Sequence, residues 1–213
     1  MEFINKKIEE YVQNHSEQEP SLLSQLNRET WLKVMNPRML SGHIQGRVLS
    51  LFSKMINPNV IIEIGTYTGY SALCLAEGLK NKGKIYTIDN NEEHIHFAKK
   101  YFNISEYKDQ IIQYHGNAIN ILPVINQNAQ LVFIDADKEN YCNYYNLIID
   151  KIDIGGYIIA DNVLWSGKVT EEEKDLETKS LDKYNKLINL DKRVENILLP
   201  IRDGLMICRK ISN

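Results

Sequence analysis

Apolar and polar positions follow two different periods along the chain. Over residues 1–57 the apolar residues recur at helical spacing, in segments near 3–14, 21–35 and 41–56, with Pro20 and Pro37 as breaks. This portion is poor in strand-like runs and predicts a cap of helices. From Val60 onward, short apolar runs alternate with longer amphipathic segments, the pattern of a parallel sheet wrapped by helices. The runs are VIIEI (60–64), KIYTID (84–89), IIQYH (111–115), LVFID (131–135) and GGYIIAD (155–161), with helices predicted over 70–79, 92–102, 118–125 and 141–151. A polar stretch over 170–191 reads as a further helix. The closing runs, VENILLP and GLMICRK, are joined by a tight IRDG turn and must run antiparallel to each other. The expected fold is therefore one α/β domain over 1–213, with a cap over 1–57 and a core over 58–213. Its sheet is doubly wound, seven-stranded and parallel except for one antiparallel strand near the C-terminus.

Composition narrows the function classes. Hydrophobic residues make up 43% and charged residues 25%, which suits a globular chain able to bury a full core. The net charge of −3 provides no electrostatic footprint for nucleic acid or an anionic membrane. No apolar run approaches the ~18 residues a membrane span needs. The N-terminal stretch lacks a signal-peptide core, so a cytoplasmic location is expected. Cys74, Cys142 and Cys208 form no CxxC pair and read as core thiols.

The stretch VIIEIGTYTGYSALCLAEGL carries the first chemical signal. A strand turning through Gly65 and Gly69 into a helix can bring backbone N–H groups close to a ligand. Asp89 follows Gly65 by 24 residues, near the ~20-residue spacing at which an acid takes the hydroxyls of a ribose. The loop GTYTG matches neither GxGxxG nor a P-loop, so a nicotinamide dinucleotide and other nucleotide cofactors stay open.

The second signal lies at the strand ends. Glu63, Asp89, Asp135 and Asp161 stand at or beside the ends of four strands, and Asn162 follows directly. Any one of them reads as a helix N-cap; four on one rim point to a ligand. Paired neighbouring strands lie ~4.8 Å apart, close enough for Asp135 and Asp161 to repel unless a proton or cation sits between them. Two Asp and one Asn offer oxygen only, suited to Mg²⁺ or Ca²⁺. His15, His43, His94, His96 and His115 have no partners at metal spacing and read as structural or surface residues. Trp165 and Tyr141 flank the acidic pair, where they could wall an aromatic substrate or pack in the core.

Together, EIGTYTGYSALCLAEGL, FIDADKENY, IADNVLWSGKV and LPIRDGLMICRK resemble the cation-dependent O-methyltransferases that use S-adenosylmethionine, the caffeoyl-coenzyme A and catechol type. The match extends over about 35–209. The resemblance implies a Rossmann-like fold, a small bacterial member of the family and a homodimer. It also implies a divalent cation, Mg²⁺ first and Mn²⁺ or Ca²⁺ next, held by Asp135, Asp161 and Asn162. It places the methionine part of the cofactor near Glu63 and the backbone of Gly65 and Thr66, its carboxylate on Ser71, its ribose on Asp89 and its adenine at Ala118. It brings Ser41 to the cofactor from the cap, sets Asp135 beside both cofactor and metal, and makes Lys138 the general base.

Two departures stand out. Asn117 replaces the acid of the family's GDA, and the segment 166–180 is acidic and short and lacks the aromatic residues that hold bulky acyl substrates. A catechol-like or phenolic small molecule is therefore expected rather than a coenzyme A ester. The alternatives are methylation of a hydroxylated uridine in transfer RNA, an NAD-dependent oxidoreductase and a non-catalytic cofactor-binding module.

Overall fold

The computed structural model describes residues 5–213, so the expected start of the first helix at Phe3 lies outside the described residues. The cap comprises α1 (Lys6–Asn14), α2 (Ser21–Lys33) and α3 (Gly42–Ile56). The core then alternates β1 (Val60–Ile64), α4 (Tyr70–Ala76), β2 (Lys84–Asp89), α5 (Glu92–Ile104), β3 (Ile111–His115), α6 (Ala118–Ile121), β4 (Ala129–Ile134), α7 (Tyr141–Ile148) and β5 (Ile152–Ala160). It closes with α8 (Leu176–Leu190), β6 (Val194–Leu199) and β7 (Leu205–Lys210).

The seven strands form one sheet in the order β3-β2-β1-β4-β5-β7-β6. All neighbours are parallel except where β7 lies antiparallel between β5 and β6. The chain moves outward from β1 to β3, then returns to place β4 on the other side of β1. That reversal opens a crevice at the carboxyl ends of β1 and β4, where open α/β sheets bind ligands.

The central strands read as unbroken apolar runs because both faces of the sheet are covered. Ile61, Leu131, Phe133 and Ile159 pack under Leu26, Leu49, Leu75 and Phe102 on the side of the cap. The alternate residues Ile62, Ile64, Val132, Ile134 and Ile158 pack against Tyr141, Tyr145, Leu181 and Tyr184 on the other side. Cys74 and Cys208 are buried in this core and Cys142 is partly buried; all three are free thiols.

Several boundaries differ from the sequence expectation, each for a local reason. The helix expected over 70–79 ends at Ala76. Beyond it, Gly78 lies against the Ser53 backbone so closely that a Cβ would come within 2.1 Å of the Ser53 carbonyl carbon. The helix expected over 118–125 is a single α turn followed by a 3₁₀ turn that contains Pro123. In the stretch 170–191 the helix starts only at Leu176, where Asp175 caps it by accepting the Thr178 N–H at 2.8 Å. The second cap helix stops at Lys33, before Asn36 takes a left-handed backbone (φ 59°) and opens a 3₁₀ turn at Pro37–Met39. Strand five begins earlier than expected, at Ile152, through a register shift against β4. No described helix is long and apolar enough to cross a membrane.

Candidate active site

A cavity of about 900 Å³ lies over the crevice between β1 and β4. Its floor is the sheet rim with Gly65, Asp89 and Asp135; Trp31, Pro37 and Met39 of the cap lie over it.

The glycine turn makes this floor possible in an unexpected way. Gly65 has φ +101°, and a Cβ there would sit 1.8 Å from the Asp135 carbonyl oxygen. The residue is glycine because the ends of β1 and β4 touch, a requirement internal to the sheet. Its N–H and that of Thr66 both donate to the Ile88 carbonyl, at 2.9 and 3.2 Å, and the Gly69 N–H donates to the Thr66 carbonyl at 2.8 Å. These N–H groups are therefore engaged within the protein; the turn shapes the floor by its path.

At one end of the cavity, Asp89 is held by two backbone donors. Its Oδ2 accepts the Tyr67 N–H at 2.7 Å and its Oδ1 accepts the Asn91 N–H at 2.9 Å. Each oxygen keeps a second lone pair. Tyr67 adopts φ 47°, and its hydroxyl donates to the Asn36 carbonyl at 3.2 Å, tying the cap to the turn. His94 lines this end, its Nδ1 3.6 Å from Asp89 Oδ1 and its ring edge-on to Tyr67. Ala118 and Asn117 complete the end, and the Asn117 side chain caps α6 by accepting the Ile119 N–H at 2.9 Å. The acid-to-amide departure thus preserves a helix cap.

At the other end stand Asp135, Asp161 and Asn162. The pairing of β4 with β5 brings the two aspartates side by side, as the strand-end reading required. Asp135 Oδ1 and Asn162 Oδ1 converge on one point, occupied by the ammonium of Lys138 at 3.1 and 3.0 Å. Lys138 also donates to the Tyr141 hydroxyl at 2.7 Å and is itself buried. Asn162 reaches this position with φ 58°, a left-handed backbone that Asn tolerates better than most residues. Asp161 is only 2% exposed; burial and the nearby Asp135 charge push its carboxyl up to about 7. A carboxylate pair with one member buried seeks a cation, and the oxygen-only donors that already surround an ammonium fit a hard divalent ion. Among the described residues no three His, Cys, Asp or Glu side chains gather as a metal cluster, so such a site depends on Asn162.

Beneath the floor, Glu63 is completely buried on β1. Burial pushes its carboxyl up to about 8, against the Thr87 hydroxyl, which donates to Oε2, and the nearby Ser71 hydroxyl. Its Oε1 has no partner. Thr66 bonds the same Thr87 hydroxyl through its own Oγ1, at 2.5 Å.

Of the residues singled out by sequence, Gly65, Asp89, Ala118, Asp135, Lys138, Asp161 and Asn162 line one cavity. Ser41, Glu63, Thr66 and Ser71 are buried behind its lining. Trp165 lines the cavity, whereas Tyr141 is fully buried and donates to the Asp161 carbonyl at 3.0 Å. The sequence reading passed over Gln45, Tyr67 and Arg202, and read His94 as structural or surface although it lines the cavity. His94 could have been found, since Asn91 caps α5 and so presents the first turn to Asp89. Gln45 carries no local signal: its contact with Asp161 spans 116 positions.

A family described as O-methyltransferase matches residues 13–211. The caffeoyl-CoA O-methyltransferase of Petroselinum crispum is 34% identical over 207 residues, covering 91% of this chain and 86% of that enzyme. That of Mesembryanthemum crystallinum is 36% identical over 187 residues, covering 82% of this chain and 74% of the other. Among solved structures, the SAH-bound methyltransferase PaMTH1 of Podospora anserina superposes with a TM-score of 0.89 at 26% identity, over 97% of this chain and 95% of that one. The O-methyltransferase of Bacillus cereus in complex with SAH gives 0.89 at 25% identity, over 96% and 97% of the two chains.

Proposed function

This chain belongs to the O-methyltransferase family, and from that premise we propose that it methylates a hydroxyl of a small catechol-like or phenolic substrate with S-adenosylmethionine and a divalent cation. The observation that carries the reading is the shared cavity: the Asp89 end and the Asp135–Asp161–Asn162 end open into one space of about 900 Å³. A donor and an acceptor seated at the two ends would meet over Gly65.

Asp89, oriented by the Tyr67 and Asn91 N–H groups, has lone pairs free for the two ribose hydroxyls. Ala118 and Asn117 border the adenine side, while Glu63, Thr66, Ser71 and Ser41 back the methionine side. Asp135, Asp161 and Asn162 would hold the cation, Mg²⁺ before Mn²⁺ or Ca²⁺. When bound, it supplies Lewis-acid stabilisation of the phenolate and fixes the direction of its oxygen. Lys138 is the proposed base: its nitrogen lies between Asp135, Asn162 and the Tyr141 hydroxyl, and in its neutral amine form it would take the proton of the acceptor hydroxyl. Trp165 and the cap residues Trp31 and Met39 wall the acceptor. Transfer from a sulfonium to an oxyanion cancels charge, so alignment in the cavity supplies much of the acceleration and no covalent enzyme intermediate is needed. The unit is 1–213 acting as one domain, with a homodimer as the expected assembly.

The test is turnover of S-adenosylmethionine on a catechol. A chelator should stop it and Mg²⁺ should restore it, and Asp161→Ala should abolish it while SAH still binds. Full activity after metal removal would overturn the cation's role. Loss of SAH binding in Asp161→Ala would move that residue to the cofactor half. An acceptor panel that includes hydroxyuridine RNA checks the substrate class.

A further inference from the structure

Gln45 is buried to 1% exposure on α3, in the cap, yet its side chain reaches the strand rim. Its Nε2 donates to Asp161 Oδ2, while the other Asp161 oxygen accepts the Asn162 N–H at 2.7 Å. The opposite end of the same amide, Oε1, accepts from Arg202 Nη1 at 2.9 Å. An amide can present either end to a carboxylate, and only the NH₂ end is attractive. Arg202 decides the matter, because a guanidinium can only donate. Arg202 Nη1 also donates to the Leu40 carbonyl at 3.2 Å and to the Ser41 carbonyl. Its own backbone is left-handed, at φ 50°. The turn that carries it also clasps the loop bearing Asn162: the Leu164 N–H donates to the Asp203 carbonyl at 2.9 Å and the Val163 N–H to the Gly204 carbonyl at 3.2 Å. Three segments distant in sequence therefore meet around Gln45 and Asp161.

We propose that Gln45 and Arg202 form a positioning pair that fixes the Asp161 carboxylate for a divalent cation and couples cation binding to the seating of cap segment 36–45 over the cavity. The inference rests on the reading of Asp161 as a cation ligand. Residues that hold a ligand's free atoms commonly set metal affinity by about 10- to 100-fold. The coupling is reciprocal: if the seated cap favours the cation, the cation favours the seated cap.

The test uses the purified full chain, without acceptor or cofactor, titrated with Mn²⁺ by calorimetry. Gln45→Met keeps the volume and removes the donor; it should weaken Mn²⁺ binding about 10- to 100-fold. Arg202 is exposed, so Arg202→Ala keeps the fold, and it should weaken binding in the wild-type background but have little further effect in Gln45→Met. Hydrogen exchange over 36–45 should slow on Mn²⁺ addition in the wild type and not in Gln45→Met. Unchanged Mn²⁺ affinity in folded Gln45→Met and Arg202→Ala overturns the pair while leaving the proposed function standing. Independent, additive losses overturn the coupling. A wild-type chain that binds no Mn²⁺ overturns both this inference and the cation reading beneath it.

Discussion

Replacing Glu63 by Gln should remove a large and separable part of the pH dependence of this chain's stability. Glu63 lies fully buried on β1, with the Thr87 hydroxyl on one oxygen and no partner on the other. Burial raises its pKa from 4.5 to about 8. The native chain therefore keeps a proton that the unfolded chain has already released. Its contribution is complete below about 4.5, is lost as pH rises, and levels off above about 8. At 1.36 kcal/mol per unit, that interval corresponds to roughly 4–5 kcal/mol. For a chain of this size, at about 2–4 °C per kcal/mol, the melting temperature should differ by roughly 10–15 °C across the window. Glu63→Gln keeps the shape and an acceptor for Thr87 but cannot ionise. Asp161 titrates in both proteins, so the difference between them isolates position 63. Urea unfolding followed by circular dichroism, without metal or cofactor and from about pH 5 to pH 9, reads the effect. The variant should gain steadily on the wild type up to about pH 8, then hold its advantage. A difference constant across the range would refute the reasoning.

Two further outcomes follow from the geometry. Gly65→Ala places a methyl group 1.8 Å from the Asp135 carbonyl oxygen at φ +101°; the conformation alone costs about 1–2 kcal/mol and the backbone clash adds to it. A fall in melting temperature of at least about 5 °C is expected, and a change within about 2 °C would mean that β1 and β4 separate easily. Asp89→Ala removes the acceptor of the Tyr67 and Asn91 N–H groups and, on the proposed reading, of the ribose hydroxyls. SAH affinity by calorimetry should fall about 10- to 100-fold, the scale of a charged hydrogen-bond acceptor, and an unchanged affinity would detach Asp89 from the ribose.

Much of this architecture is legible in the chain because burial imprints a period on it. The continuous runs at 60–64 and 131–134 announce strands covered on both faces, and the tight turn between the last two runs forces β7 to reverse. The strand-end acids were legible for the same reason: where an apolar run stops, a charged residue marks the rim. The reach of Lys138 between Asp135 and Asn162 was less so, since the sequence suggested its role only through resemblance.

By itself, then, the sequence determined the order of elements and the rim on which the acids stand. These depend on local period and on the rules of chain connection. Only the tertiary structure decided why Gly65 is glycine, which N–H groups orient Asp89, and that Gln45 of the cap bonds Asp161 while Arg202 of the last turn bonds Gln45. Those contacts join segments as far apart as 116 and 157 positions. Each depends on two surfaces meeting in space, which no single stretch of sequence encodes.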